Sequence, residues 1–374
     1  MKRLDNFDLG HLREFSYVGE DLHRGTTHEI INIAVDSLTS ERTNPLWCLV
    51  LAFLSSFFAF VACCVGRDEP AVLNDKSLPW PRAQALAIVF VILYSVLTTI
   101  ADRRSQEDGK NTAFYVYIRY ALSVPSFGFL IGVFCYDCGI KPEYVCPLFC
   151  VLQMAFYSMH WCHYFTRCFH EWFLQSRTLV ASLLFFMIGT RVRGKGLSEM
   201  TIETGTLPTN SMMVIVVCGI FGCSVLFVMG QIICVMIYAK PHGRAYMFPP
   251  KYMLPLVFYV ALCIIWCSSS FSSFSECPFF HIQCFIWVFS YISRWLITSD
   301  MLDMEPPLIH WPIFGIILCV INSFFNLVNP CTVTVCFSFL FFCLDLFSFF
   351  KTATSLRSYL IQHPETPLSF YHTD

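Results

Sequence analysis

Charge is scarce in this sequence. Asp, Glu, Lys and Arg make up 13% of its 374 residues and hydrophobic residues 56%, against about a quarter charged in a soluble domain. A water-solvated surface along the whole chain is therefore excluded. Alternating ten-residue segments, the mark of a transmembrane barrel, are missing. Internal repeats are missing too, which leaves an inverted-repeat transporter without support. The apolar runs show no charge pairs and no large extracellular segment separates them, which weighs against any transporter or receptor. No Asn-x-Ser/Thr sequon occurs, so glycosylation marks no loop. The first 45 residues are polar and hold no apolar run of the signal-peptide kind, so insertion is expected to rest on the first apolar helix. A formal net charge of −2 identifies no partner, and no nucleic-acid partner is expected.

What the chain has instead is a series of apolar runs of roughly 18–25 residues between short polar clusters, the pattern of a polytopic helical membrane protein. The runs begin near Leu46, Ala83, Thr112, Cys146, Thr178, Ser211, Tyr252, Phe279, His310 and Cys331, the one at Thr178 being short. The expected fold is all-α, with about ten transmembrane helices over residues 46–350. A cytosolic segment (1–45) precedes them and a cytosolic tail (351–374) follows. Ten spans put both termini on one side. Calling that side cytosolic gives its segments fifteen of the 24 Lys and Arg and the opposite loops seven, as the positive-inside rule favours. Pro45, Pro79, Pro81, Pro249, Pro250, Pro306 and Pro307 stand at the edges of runs, where proline marks helix boundaries.

Residues 26–38 read as an amphipathic helix. Thr26 and Glu29 form a capping box, and Ile30, Ile31, Ala34 and Leu38 share a face. The segment is too short to span, so it either lies along the cytosolic interface or packs on the membrane domain. The 20 cysteines fall mostly inside apolar runs, as at Cys63, Cys64, Cys218, Cys234, Cys319 and Cys336, where cysteine acts as a small hydrophobe. Cys135 and Cys138 have a metal-type spacing without a second Cys or His pair nearby; a disulfide at that membrane edge stays open. Residues 337–350 are apolar on all sides and read as lipid-facing, apart from Asp345. An intramembrane carboxylate calls for a partner or an interface.

Two stretches carry candidate chemistry. The charged loop at 99–120 gathers Asp102, Arg103, Arg104, Glu107, Asp108 and Lys110 between two apolar runs. These acids sit in one turn or loop rather than on two facing helices, so they read as balancing the neighbouring cations. The second stretch, 158–169, places His160, His163 and Tyr164 three and four residues apart, on one helical face. No Cys, Asp or Glu nearby completes a metal shell, and an interfacial aromatic belt with a polar cluster is the expected reading.

The pattern His160-Trp161-x-x-Tyr164-x-Thr166 resembles the His-Trp-Glu-x-Tyr-x-Thr-Gly signature of ethanolamine and choline phosphotransferases, of the CDP-alcohol phosphotransferase family. Shorter pieces resemble the family in the same order: Phe15 to Asp21, Gly196 to Glu203, Pro306 to Pro312, and the tail from Lys351 to Phe370. Ten helices with cytosolic termini also resemble its topology. The resemblance implies an enzyme that moves phosphoethanolamine or phosphocholine from a CDP-alcohol to diacylglycerol in the endoplasmic reticulum or Golgi. It also implies membrane lipids as ligands and a homodimer, or a heterodimer with an active relative.

The family motif is Asp-Gly-x2-Ala-Arg-x8-Gly-x3-Asp-x3-Asp, with a further aspartate three residues upstream. Its carboxylates hold two divalent cations, Mg²⁺ or Mn²⁺, that clamp the pyrophosphate. With Arg103 on the motif arginine, Ser95 and Thr98 fall on the first two aspartates, Val116 and Tyr120 on the last two, and Tyr117 on the histidine that resembles the base. Cys162 replaces the signature's glutamate and Arg167 its glycine. The spacing is kept and every metal ligand is lost. The sequence therefore predicts no catalytic residues, no metal ligands and no cofactor, with Arg103, His160, Trp161 and Tyr164 left as candidates for substrate binding. The expected protein is catalytically impaired, because without the cations the charge stabilisation that contributes most to such a transfer is gone. The alternatives are an active phosphotransferase with relocated ligands, which would need Mg²⁺ or Mn²⁺, and an unrelated transporter or receptor.

Overall fold

The computed structural model describes residues 44–67, 80–108, 112–140, 142–166, 183–189, 212–238, 249–269, 274, 277–301 and 305–362. The amphipathic segment 26–38 and the pieces at 15–21 and 196–203 lie outside the described residues. Every described element is helical: α1 Pro45–Arg67, α2 Trp80–Asp108, α3 Thr112–Asp137, α4 Pro142–Thr166, α5 Met212–Tyr238, α6 Leu254–Ser269, α7 Pro278–Met301, α8 Trp311–Phe325 and α9 Pro330–Gln362. A 3-10 turn, Pro249–Met253, leads into α6, and residues 183–189 form a further short helical stretch. Seven of these helices are long and apolar enough to cross a membrane. The chain is an all-α integral membrane protein.

Several boundaries follow from local chemistry. Asn44 Oδ1 accepts the Leu46 N–H at 2.9 Å and so caps α1, with Pro45 in the first turn. Asn329 does the same for α9, accepting from Cys331 N (2.9 Å) and Thr332 N (3.3 Å). Between α8 and α9 the chain turns on Asn326, in the left-handed region at φ 48°, whose N–H returns to Asn322 O. The Asn322 side chain brackets Val328, accepting its N–H and donating to its carbonyl. α9 runs on past residue 350 to Gln362, so the first part of the expected tail extends the last span.

α1 and α2 pair closely, and α3 packs on α1 through a phenylalanine cluster in which Phe53, Phe57 and Phe60 surround Phe129. Glycine permits the close approaches. A Cβ on Gly132 would fall 2.5 Å from the Phe60 ring, and one on Gly128 2.7 Å from Ile286 of α7. Small residues at such crossings let helices gain dispersion contacts that lipid cannot supply. α7 fills the centre and touches α3, α4, α6, α8 and α9. It is not one of the seven apolar spans, and most of its residues are buried, polar ones included. Tyr259 of α6 donates to Gln153 Oε1 (3.1 Å) and to the Phe285 carbonyl (2.9 Å), tying α4, α6 and α7 together.

α7 and α9 run parallel, with facing residues 53 to 55 positions apart. His281 faces Thr334 (3.4 Å), Ser338 donates to Gln283 (2.9 Å), and Ser290 donates to Asp345 (3.2 Å). Outward, α9 and α5 carry the apolar exposure expected of lipid-facing helices, as at Phe339, Phe347, Leu226 and Met236.

Candidate functional site

Three contacts, one ionic and two between rings, fan out from one turn of α3. At about 100° per residue, Tyr117, Arg119 and Tyr120 point in three directions. Tyr117 stacks on Phe349 of α9, with ring centroids 6.1 Å apart. Arg119 reaches α2, where its Nε lies 2.8 Å from Asp102 Oδ1 and its Nη2 donates to Oδ2 at 2.9 Å. Tyr120 meets the His160 ring of α4 edge-on at 5.7 Å.

Beyond Tyr117, the Phe349 ring also lies under the Arg294 guanidinium, 5.4 Å away. Arg294 donates from Nη2 to Asp345 Oδ2 and from Nη1 to the Asp345 carbonyl, each at 2.5 Å. Asp345 thus has the partner that its position inside a span requires. This corrects the expectation that the interior holds no charge pairs: Arg294 and Asp345 are 51 residues apart, on two helices whose pairing no local pattern announces.

Beyond Tyr120, the end of α4 forms a second buried cluster. His163 Nδ1 donates to Asp300 Oδ2 of α7 at 2.5 Å, with both side chains no more than 4% exposed. The His160 ring packs on Phe156, the Trp161 ring on Phe165, and Tyr164 against Phe165 and Tyr252. Cys162 and Thr166 close the turn, 3.7 Å apart. The expected aromatic belt at an interface is corrected here. All of these except Phe165 are buried, because α3, α7 and the 3-10 turn cover the end of α4. An aspartate on His163 Nδ1 fixes the tautomer and the orientation of the ring.

Between α1, α2 and α3 lies a small, partly open cleft. Leu49, Ala52 and Phe53 form its apolar side, and Tyr94, Thr98, Asp102, Arg119, Leu122, Ser123 and Ser126 the rest. Tyr115 also donates to Asp102, at 3.1 Å. Of the five positions aligned with the family's carboxylates and base, only Thr98 lines this cleft. Ser95 is half-buried on α2 and its carbonyl accepts from Thr98 and Thr99; Val116 is half-buried on α3. Tyr117 and Tyr120 turn to other helices. Arg103 stands on α2, but its side chain lies outside the described residues. His160, Trp161 and Tyr164 belong to the α4 cluster rather than to the cleft.

These residues do not fit a pair of divalent cations. The cleft offers one carboxylate, already met by a guanidinium in a two-point contact and by a phenol. A cation there would face Arg119. Among the described residues, no three His, Cys, Asp or Glu side chains converge as a metal site.

Outside the spans, the link into α8 carries two perturbed groups. Hydrogen bonds from Lys251 (2.7 Å) and Tyr252 (2.5 Å) hold the Glu305 carboxyl below its usual range. Burial pushes the His310 imidazole down to about 4. The pairings Asp102–Arg119, His163–Asp300 and Arg294–Asp345 are the polar features that no local pattern reveals. One signal for α7 does stand in the sequence: Ser293, Arg294 and Asp300 follow Ser290 at three, four and ten residues, a polar stripe that a lipid-facing helix would not carry. No family model matches the chain, and no curated protein matches it.

Proposed function

We propose that this chain is a CDP-alcohol phosphotransferase-like membrane protein of phospholipid metabolism that binds lipid without transferring a phosphoalcohol. The observation that carries the reading is the Asp102–Arg119 pair in the α1–α2–α3 cleft. Transfer through two cations needs several carboxylates facing each other from two helices. Here one carboxylate is neutralised, and Thr98, Ser123 and Ser126 add hydroxyls but no charge. The Arg119 guanidinium, positioned by Asp102 beside Leu49, Phe53 and Leu122, instead suits a lipid phosphate, with the apolar wall against the first acyl carbons.

The same reading takes ten crossings, adding α7, α8 and the stretch around 183–189 to the seven apolar spans. Both termini lie in the cytosol, and the home is the endoplasmic reticulum or Golgi membrane. Assembly is as a homodimer or with an active relative.

The test is a transfer assay on the purified protein with labelled CDP-ethanolamine and CDP-choline, diacylglycerol, and Mg²⁺ or Mn²⁺, beside an active phosphotransferase. Native mass spectrometry of bound phosphatidylethanolamine is run in parallel. The expected result is no product, with lipid retention lost in Arg119→Ala. Metal-dependent phospholipid product would establish the active enzyme with relocated ligands instead.

The buried Arg294–Asp345 and His163–Asp300 pairs favour a second reading, a transporter with charge in its interior. Solute counterflow in proteoliposomes that is abolished by Asp300→Asn would replace the first reading with this one.

A further inference from the structure

We propose that Cys277 and Cys331 form a disulfide that staples α7 to α9 at the end of the bundle opposite the polar clusters. Their sulfurs lie 2.7 Å apart, and both residues are partly exposed rather than sealed in the core. They form the first rung of the parallel α7–α9 ladder. Cys277 faces Cys331 where His281 faces Thr334 one turn on, followed by Gln283 with Ser338 and Ser290 with Asp345.

The frame around both thiols is fixed by other contacts. Asn329 holds the Cys331 N–H, and Asn322 and Asn326 hold the turn before it. The Cys277 carbonyl accepts from His281 N (3.4 Å) and Nδ1 (3.1 Å). The bond asks the two sulfurs to close from 2.7 Å to about 2.05 Å. Another close pair contrasts with this one: Cys146 and Cys150 sit 4.0 Å apart on a single helix, buried. Cys135 and Cys138 are likewise buried.

Phe60 near the end of α1 stacks on Phe279 at the start of α7 and meets Tyr136 near the end of α3. The thiol pair therefore shares its edge with the ends of α1 and α3. In the orientation that the loop cations favour, and on which this inference rests, that edge faces the oxidising side of a secretory membrane. The chemistry balances as follows. Two thiols lose two protons and two electrons, an S–S bond forms through a mixed disulfide, and a disulfide-bearing oxidoreductase of that compartment is reduced to its dithiol. The bond closes 277–331, with α7 and α8 inside it, into a covalent ring. It pins the register that aligns Arg294 with Asp345.

Full-length protein is made in eukaryotic secretory membranes, blocked with N-ethylmaleimide before lysis, digested without reductant and read by mass spectrometry. The expected result is a peptide pair linked through Cys277 and Cys331 that reductant removes. Recovery of both cysteines singly alkylated from folded protein would overturn the assignment.

A single serine variant can fail to fold, so a second measurement uses C277S/C331S. Reductant sufficient to remove the linked peptide is expected to lower the wild-type Tm by about 3 °C. The double variant starts at that lower value and does not respond. An equal response of the double variant to reductant would also overturn the proposal.

Discussion

Arg294 and Asp345 meet inside the bundle through two hydrogen bonds of 2.5 Å, one to the carboxylate and one to the backbone carbonyl of the same residue. Side-chain and main-chain recognition together fix both the rotation and the height of α9 against α7. Removing one partner of such a pair leaves a charge in a medium that cannot solvate it, at a cost of roughly 3–5 kcal/mol. Arg294→Met and Asp345→Leu are each expected to lose the monodisperse folded peak at a lower temperature in detergent. The double variant R294M/D345L is expected to be less impaired than either, since no orphan charge remains. A double variant that is worse than both singles would contradict this expectation.

His163 and Asp300 should act as one unit. His163→Gln and Asp300→Asn are each expected to lower Tm, and the double variant by less than their sum. The coupling energy in a double-mutant cycle should be about 1–3 kcal/mol. Additive losses would mean that the 2.5 Å contact carries no energy of its own.

Glycines separate by what surrounds them. Gly132→Ala drives a methyl into the Phe60 ring, and Gly315→Ala drives one into the Phe341 ring. Each is expected to cost about 1–3 kcal/mol as an overpacked contact. Gly219, Gly222 and Gly230 on α5 meet nothing within 4 Å, so alanine there should be neutral or stabilising by up to about 1 kcal/mol. Thermal denaturation of the five variants side by side is the check.

Acid should loosen the start of α8. Because burial depresses the His310 pKa to about 4, against about 6.5 unfolded, the unfolded state binds the extra proton between those values. Stability from this group is therefore full above about pH 6.5 and is lost as pH falls toward 4. Hydrogen exchange across residues 305–314 should rise over that window, and His310→Gln should flatten the dependence.

Helix positions are largely legible because prolines and apolar length are local properties. Runs expected at Leu46, Ala83, Thr112, Cys146, Ser211, Tyr252, Phe279, His310 and Cys331 each coincide with a helix. Asp345 stands out because a lone carboxylate among phenylalanines is visible in one line of sequence. Its partner does not, since pairing depends on the relative rotation of helices that only packing fixes. The same holds for His163 and Asp300, which are 137 residues apart. The aromatic cluster at 160–164 reads as interfacial because a Trp- and Tyr-rich helix end looks the same whether water or other helices cover it. The cleft is half legible: position 98 lines it, while Arg119, in sequence only a cation within a span, supplies its second charge.

The unusual burial of α7 has a consequence for biogenesis. A helix that carries His281, Ser290, Ser293, Arg294, Ser299 and Asp300 toward its neighbours partitions poorly into lipid on its own. Its route out of the insertion machinery therefore leads onto a protein surface. The apolar α1–α2 pair can settle in the bilayer first and await α3 and α4, but α7 finds its counter-ion only once α9 has been synthesised. Insertion of the centre is thus bound to completion of the chain, and a chain stopped short of Asp345 would present its arginine to quality control.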